Sequence, residues 1–383
     1  MKKISIITVS LNAVNTIERT IKSVVDQIND YVEYIVIDGG SNDGTVDCIK
    51  KYEKCISYWI SESDNGIYDA MNKGIEHSTG EYIHILNSDD WLEPGSVQSV
   101  LSFMNKVDAD VYYGHVIRDD GHSRTEWIPE TLERLWWWMP FGHQGVFVKR
   151  TEDLRFDDSY RIAADYKMML ELYANGKKFA YMPVKVASFG QNGISNREHY
   201  KMCTEQVDIA ASQMLMHKGD SLIYFEKIIE LYVNSEIKHQ ALLSEEPTYI
   251  ELFLRDRIDS ERHIVCFGTG HISSECVPLL KKSGHIIDYV VDNDKEKWET
   301  NWNGYNVFSP SRLKYEDDIQ IIILVKDSHK EIKEQLLDMD LSKDIDIMTF
   351  SELYEEFLEK YKDSLVEIGK KRIPSLCELL KMV

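Results

Sequence analysis

Two stretches decide how this chain is read: YIVIDGGSNDGT, residues Tyr34–Thr45, and EYIHILNSDDWL, residues Glu81–Leu92. Each is a short β-branched and aromatic run that stops at an Asp-bearing turn, the pattern of a buried strand with a sharp end. Working outward, Ile4–Val9 is a third such run. Asn15–Gln27 carries helical spacing through Ile17, Ile21, Val24 and Val25, and Thr45–Tyr52 continues as a helix. Strands alternating with helices predict a mostly parallel sheet covered by helices. In such sheets ligands bind beyond the carboxyl ends of the strands, and both Asp-rich turns fall there.

The rest of the chain sets limits on this α/β reading. Its 383 residues correspond to about two or three domains, and 43% hydrophobic residues suffice for a core. With 65 acidic and 44 basic residues the net charge is −21, which argues against nucleic acid as a partner because phosphate backbones need a basic face. No apolar run reaches the ~18 residues of a membrane span. Met1-Lys2-Lys3 before Ile4–Val9 imitates a leader, but Thr8, Ser10 and Asn12 cut the apolar run short. Six scattered cysteines with no CxxC pair predict reduced thiols and a cytoplasmic setting. The expected organisation is an α/β domain over 1–205, a helical connector over 206–258, a second alternating domain over 259–350 and C-terminal helices over 351–383.

The chemistry sits at the strand ends. Asp38 can accept the imide N–H of uracil or thymine; an Asp in a Gly-rich turn equally caps the next helix. The adjacent carboxylates Asp89 and Asp90 can hold a divalent ion that takes its remaining ligands from water and phosphate, or can cap a helix. Between them, Asn72 and Lys73 can reach phosphate or ribose oxygens, although Ile67, Ala70, Met71 and Ile75 also share one face of a plain amphipathic helix. Asp165, opening the helical run ADYKMMLEL, suits a general base or an N-cap. Trp136, Trp137 and Trp138 offer sugar platforms or core packing.

Together these segments resemble family 2 glycosyltransferases with the GT-A fold over roughly residues 3–200. The match lies in Asn12 after the first strand, Asp38 in VIDGGSNDGT, SESDNGIYDAMNKG (61–74), GEYIHILNSDDWL (80–92), GHQGVFVKR (142–150) and IAADYKMMLEL (162–172). The form of LNSDD and DAMNKG is similar to enzymes of capsule, O-antigen and exopolysaccharide assembly. The resemblance implies inverting, Mn²⁺- or Mg²⁺-dependent transfer of a sugar from a nucleoside diphosphate, UDP- or dTDP-linked, to a hydroxyl of a glycan or lipid-linked acceptor. It implies base recognition by Asp38, donor contacts from Asn12, Asn72, Lys73, Asn87 and Ser88, metal ligation by Asp89, with Asp90 and His199 as further candidates, and catalysis by Asp165. Asn87 departs from the family's DxD pattern, and Met71 stands where many relatives carry Arg, leaving Lys73 to face the diphosphate. Ser188–Asn196 reads as a lid, and Trp137 as a sugar platform.

In the second domain Gly268-Thr269-Gly270 follows a strand and opens a helix, with Asp292 closing the next strand. That is the setting of a dinucleotide fingerprint, with Ser273 in place of its third glycine. The segment resembles the small Rossmann-like domain found before sugar acyltransferases and beside capsule enzymes, and it serves nucleotide binding or interaction alone. Two other functions share these features: a nucleotidyltransferase, which the loop Asn12–Thr20 does not suit, and a non-catalytic sugar-nucleotide-binding scaffold. Finally, Lys370-Lys371-Arg372 beside Ile373, Leu376, Leu379 and Leu380 reads either as a peripheral contact with the inner face of the cell membrane or as a packed helix.

Overall fold

The computed structural model describes residues 3–121, 123–190, 193–243, 248–259, 261–325 and 328–382. The chain divides into two compact units, 1–232 with 370–383, and 233–369.

In the first unit the elements run β1 (Ile4–Ser10), α1 (Ile17–Val25), β2 (Val32–Asp38), α2 (Thr45–Lys51), β3 (Tyr58–Ser61), α3 (Ile67–Glu76), β4 (Tyr82–Ile85), β5 (Trp91–Leu92), α4 (Ser96–Met104), β6 (Val111–Asp119), β7 (Arg124–Trp127), β8 (Val146–Lys149), α5 (Ala164–Ala174) and β9 (Phe179–Gly190). They continue with α6 (Ile194–Arg197), α7 (His199–His217) and the start of α8 (Phe225–Leu243). The sheet order is β3-β2-β1-β4-β8-β6-β9-β5, with β7 beside β6. Strands β3, β2, β1 and β4 are parallel. Beyond them β8 lies antiparallel to both β4 and β6. The alternation read from the sequence therefore builds one half of the sheet. The other half mixes antiparallel pairs with the parallel pair β6–β9 and lies outside that alternation.

β1 and β2 are buried along their whole length, as strands covered on both faces must be. Helix α3 packs so closely on β1 that a Cβ at Gly74 would lie 2.3 Å from Ile7 Cγ2. This close packing sets the height of the α3 N-terminus above the sheet.

The second unit carries α9 (Tyr249–Arg257), β10 (His263–Phe267), α10 (His271–Lys282), β11 (Ile287–Val291), β12 (Asn301–Trp302), β13 (Tyr305–Phe308), β14 (Ile319–Ile323), α11 (His329–Leu337), β15 (Asp346–Thr349) and most of α12 (Phe350–Arg372). Its sheet order is β12-β13-β11-β10-β14-β15, parallel except for the β12–β13 hairpin. This is the expected Rossmann-like unit. Thr248 and Glu251 form a reciprocal capping box that starts α9.

Two boundaries differ from the sequence reading. Residues 206–232, expected in a connector, belong to the first unit, because α7 packs on α5 there. The last helix, α13 (Pro374–Met382), also returns to the first unit and packs along α7. Leu376 and Leu379 are fully buried and Ile373 is 3% exposed, while Arg372 donates to Tyr200 Oη at 2.7 Å. The apolar stripe of the tail is thus core, which corrects the expectation that it lies on a bilayer. No helix among the described residues is long and apolar enough to cross a membrane.

Candidate active site

The carboxyl ends of β1, β2 and β3 meet at Asp38. Its Oδ1 accepts from Ser10 Oγ (2.9 Å) and Ser41 Oγ (2.6 Å). Its Oδ2 accepts from Gly40 N (3.2 Å), Ser41 N (2.9 Å) and Ser61 Oγ (2.7 Å). Burial pushes this carboxyl upward, but the hydrogen bonds from Ser41, Ser61 and Ser10 outweigh it and leave it below the usual range. With its side chain inaccessible, Asp38 holds three strand ends together. In this conformation both of its oxygens are taken up by the turn and by the ends of β1 and β3. Asn12, at a positive φ of 50°, joins the same knot: its N–H donates to Ser41 Oγ and its Oδ1 accepts from Asn42 N.

Two further expected donor contacts have protein partners in this conformation. Asn72 is buried and pairs reciprocally with the Phe156 backbone, Nδ2 to O at 2.9 Å and N to Oδ1 at 2.7 Å. Lys73 is ion-paired with Glu62 (2.9 Å) and Asp69 (3.6 Å). Both side chains serve the packing of α3, and neither lines the cavity described next.

That cavity, about 410 Å³, opens beyond the end of β4. Asn87, Asp89, Asp90, His143, Asp165 and His199 line it, over an apolar floor that includes Met71, Ile85, Phe156 and Met169. Helix α1 fixes the 87–90 turn. Thr20 Oγ1 donates to the Ser88 and Asp90 carbonyls at 2.9 and 2.6 Å, and Arg19 donates to the Asp89 carbonyl at 3.1 Å. Ser88 itself contributes this backbone contact and does not line the cavity. Asp90 is 2% exposed. Burial, then the Asp89 carboxylate beside it, pushes its carboxyl well above the usual range, and its Oδ2 has no hydrogen-bond partner among the described residues.

Asp165 lies in the first turn of α5, whose N-cap is Ala163; the capping alternative does not hold. Its Oδ1 accepts from Tyr166 N at 2.8 Å and lies 3.3 Å from Tyr68 Oη. Tyr68 Oη also donates to the Ile162 carbonyl at 2.5 Å. These contacts leave Oδ2 on the cavity side, 3.7 Å from His143 Nδ1. His143 Nε2 in turn lies 3.1 Å from Asn87 Nδ2 and 4.0 Å from Asp90 Oδ2. Burial lowers the His143 pKa, and the Asp165 and Asp89 charges oppose this only in part. His143 is the residue that individual reading of the motifs missed. Its only signal was its place in GHQG (142–145), within a matching segment.

Trp138 lines the cavity. Trp137 instead packs on Tyr224 with ring centroids 5.1 Å apart, so Trp138 and not Trp137 faces the cavity. Arg118, its guanidinium 4.4 Å from the Trp127 ring, also lines the cavity, as does His199, whose Nε2 is 3.5 Å from Cys203 Sγ. Of the expected lid, Gln191 and Asn192 lie outside the described residues.

In the second unit Gly268 takes a φ of 106° and Ser273 Oγ donates to its carbonyl at 2.7 Å. Gly270 precedes α10 as its N-cap. Asp292, expected at a ribose, accepts instead from Thr269 N (3.0 Å) and Thr269 Oγ1 (2.6 Å) on Oδ2 and from Asp294 N (2.9 Å) on Oδ1. The fingerprint loop is closed on its own carboxylate.

A parallel half-sheet continued by antiparallel strands, with carboxylates beyond the strand ends, is the architecture of the nucleotide-diphospho-sugar transferase (GT-A) fold. Residues 5–191 match the family described as "Glycosyl transferase family 2", and the chain belongs to that family. Residues 260–347 match "C2185-like, N-terminal". The chain is 44% identical over 88 residues to the "Uncharacterized glycosyltransferase Rv1514c" of Mycobacterium tuberculosis, covering 23% of this chain and 34% of that protein. It is 30% identical over 208 residues to the "PGL/p-HBAD biosynthesis glycosyltransferase" of Mycobacterium bovis, covering 50% of this chain and 78% of that protein. It thus spans about a third of the first relative and over three quarters of the second. The crystal structure of S. aureus TarS 1-349 in complex with UDP shares the fold at a TM-score of 0.51 and 16% identity, covering 66% of this chain and 79% of that one.

Proposed function

We propose that this chain is an inverting glycosyltransferase of surface polysaccharide biosynthesis. It moves a sugar from a nucleoside-diphosphate donor, UDP- or dTDP-linked, to a hydroxyl of a glycan or lipid-linked acceptor. The observation that carries this reading is the single cavity onto which Asp165, Asp89 and Asn87 all open. One oxygen of Asp165 is anchored, and the other is left for a proton. The UDP complex of the TarS neighbour supports a uridine diphosphate as the first donor to try. Six scattered cysteines without a CxxC pair suit a reducing, cytoplasmic setting.

Inversion needs one in-line displacement at the anomeric carbon. The acceptor O–H gives its proton to Asp165 Oδ2 as the new C–O bond forms, and the bond from the anomeric carbon to the diphosphate oxygen breaks with its electron pair. Asn87 Oδ1, buried without a hydrogen-bond partner, suits a ribose hydroxyl. The donor chemistry around Asp89 fits Mn²⁺ or Mg²⁺: oxygen ligands, and among the described residues no group of three His, Cys, Asp or Glu that would cage an ion alone. Such ions take one or two carboxylates and complete their shell with phosphate and water. When bound, the ion would neutralise charge on the departing diphosphate.

The test is a screen of UDP-, dTDP- and GDP-sugars for Mn²⁺-dependent release of nucleoside diphosphate. Asp165→Asn should lower turnover by roughly 10²-fold or more with donor affinity retained, and Asp89→Ala should remove the Mn²⁺ dependence of donor binding. Turnover in Asp165→Asn within about threefold of the native rate would refute the base. Nucleotide-sugar binding with no release in any arm would favour a binding scaffold.

A further inference from the structure

The sequence departs from its family at Asn87, where the first carboxylate of a DxD pattern is an amide, and the geometry gives that amide work. His143 stands between Asn87 and Asp165, with Nε2 3.1 Å from Asn87 Nδ2 and Nδ1 3.7 Å from Asp165 Oδ2. A neutral imidazole carries one proton, and the partner of one nitrogen decides where it sits. With a carboxylate oxygen facing Nδ1, a bare Nδ1 would set lone pair against lone pair, so the proton belongs there. Nε2 is then an acceptor and requires a donor. Asn87 supplies one through Nδ2, and this leaves its Oδ1 turned away without a partner, as the structure has it. An aspartate at 87 has no such N–H to give.

We propose that His143 is a positioning residue for Asp165. Held by Asn87 in the Nδ1–H tautomer, it points that N–H at Asp165 Oδ2 and orients the carboxylate toward the acceptor hydroxyl. The Tyr166 backbone N–H holds the other oxygen, so the carboxylate is gripped from both sides. A separation of 3.7 Å is long for a hydrogen bond, and contacts of this kind tighten once substrate closes the site. The second lone pair of Oδ2 stays available for the proton. Asn87 is thereby part of the machinery of the base, and the missing carboxylate is a feature of this site. The inference rests on the assignment of Asp165 as the base.

The first test needs no substitution. In ¹⁵N-histidine-labelled protein at neutral pH, the His143 resonances should report Nδ1–H with Nε2 unprotonated; an Nε2–H tautomer would overturn the proposal. The second is kinetic. His143→Gln keeps an acceptor near Asn87 and loses the donor to Asp165, and should cut kcat roughly tenfold or more with donor KM little changed. His143→Asn places an amide N–H where Nδ1 stands and should recover part of that loss. Asn87→Asp, which restores the family's carboxylate, should lower kcat as well, since it draws the imidazole proton to Nε2 or charges the ring. A kcat for His143→Gln within about threefold of native would overturn the proposal. Should that happen while Asp165→Asn is inactive, the positioning role alone falls. Should Asp165→Asn also stay active, the assignment of the base falls with it. If the glutamine variant does not fold, the tautomer and Asn87→Asp decide.

Discussion

Replacing Asp38 by Ala discriminates between a residue that reads a base and one that holds the sheet. The carboxylate accepts from two backbone N–H groups, those of Gly40 and Ser41, and from the hydroxyls of Ser10, Ser41 and Ser61. In Asp38→Ala the hydroxyls can rotate toward other acceptors, whereas the two amides are fixed by a turn that is only partly buried, with Gly40 exposed. At about 1–3 kcal/mol for each group left unsatisfied, less what water reaching the turn returns, the loss is about 2–3 kcal/mol. For a unit of this size that lowers Tm by roughly 4–12 °C. Six of the eight tryptophans, Trp59, Trp91, Trp127 and Trp136–Trp138, lie in the first unit, so tryptophan fluorescence during urea unfolding reports mainly on it. The effect has a pH signature. Because the folded pKa is lowered, the stabilisation is present above the unfolded value of about 3.9 and disappears as pH falls through the folded one. The gap between native and variant stabilities should therefore begin to narrow below about pH 4 and go on narrowing as pH falls through the lower folded value. A loss under about 1 kcal/mol, together with weakened nucleotide binding, would refute the reasoning and return Asp38 to the base.

Two other substitutions test the corrections. Leu379→Ala, in a fully buried position, should cost about 2–5 kcal/mol in urea unfolding. It should leave co-sedimentation with anionic phosphatidylglycerol vesicles unchanged, and loss of vesicle binding in a variant of native stability would restore the bilayer role. In the second unit, Asp292→Ala frees Thr269 and should lower the stability of that unit by about 1–3 kcal/mol, with no change in NAD or UDP binding by calorimetry; a nucleotide affinity that depends on Asp292 would show that the loop opens.

What the sequence determined by itself was the local and periodic part of this protein. The runs ending at Asp38 and Asn87 are strands because apolar β-branched residues have nowhere else to go. Strand-then-helix alternation forces a parallel sheet, and a parallel sheet puts its loops, and hence Asp89, at one edge. The second unit was legible for the same reason. Strands β6 to β9 were not, since their pairing is non-local and mixes parallel with antiparallel neighbours. Nor does a motif state the direction of a side chain. Asp38, Asn72 and Lys73 sit in segments that match the family, yet only tertiary structure pairs them with Ser41, Phe156 and Glu62. The tail shows the same limit, because an amphipathic stripe fits a bilayer or a helix equally well and only the presence of α7 decided between them. His143 became visible when folding brought residues 87, 143 and 165 together, since a hydrogen-bond relay depends on distances that sequence separation does not encode.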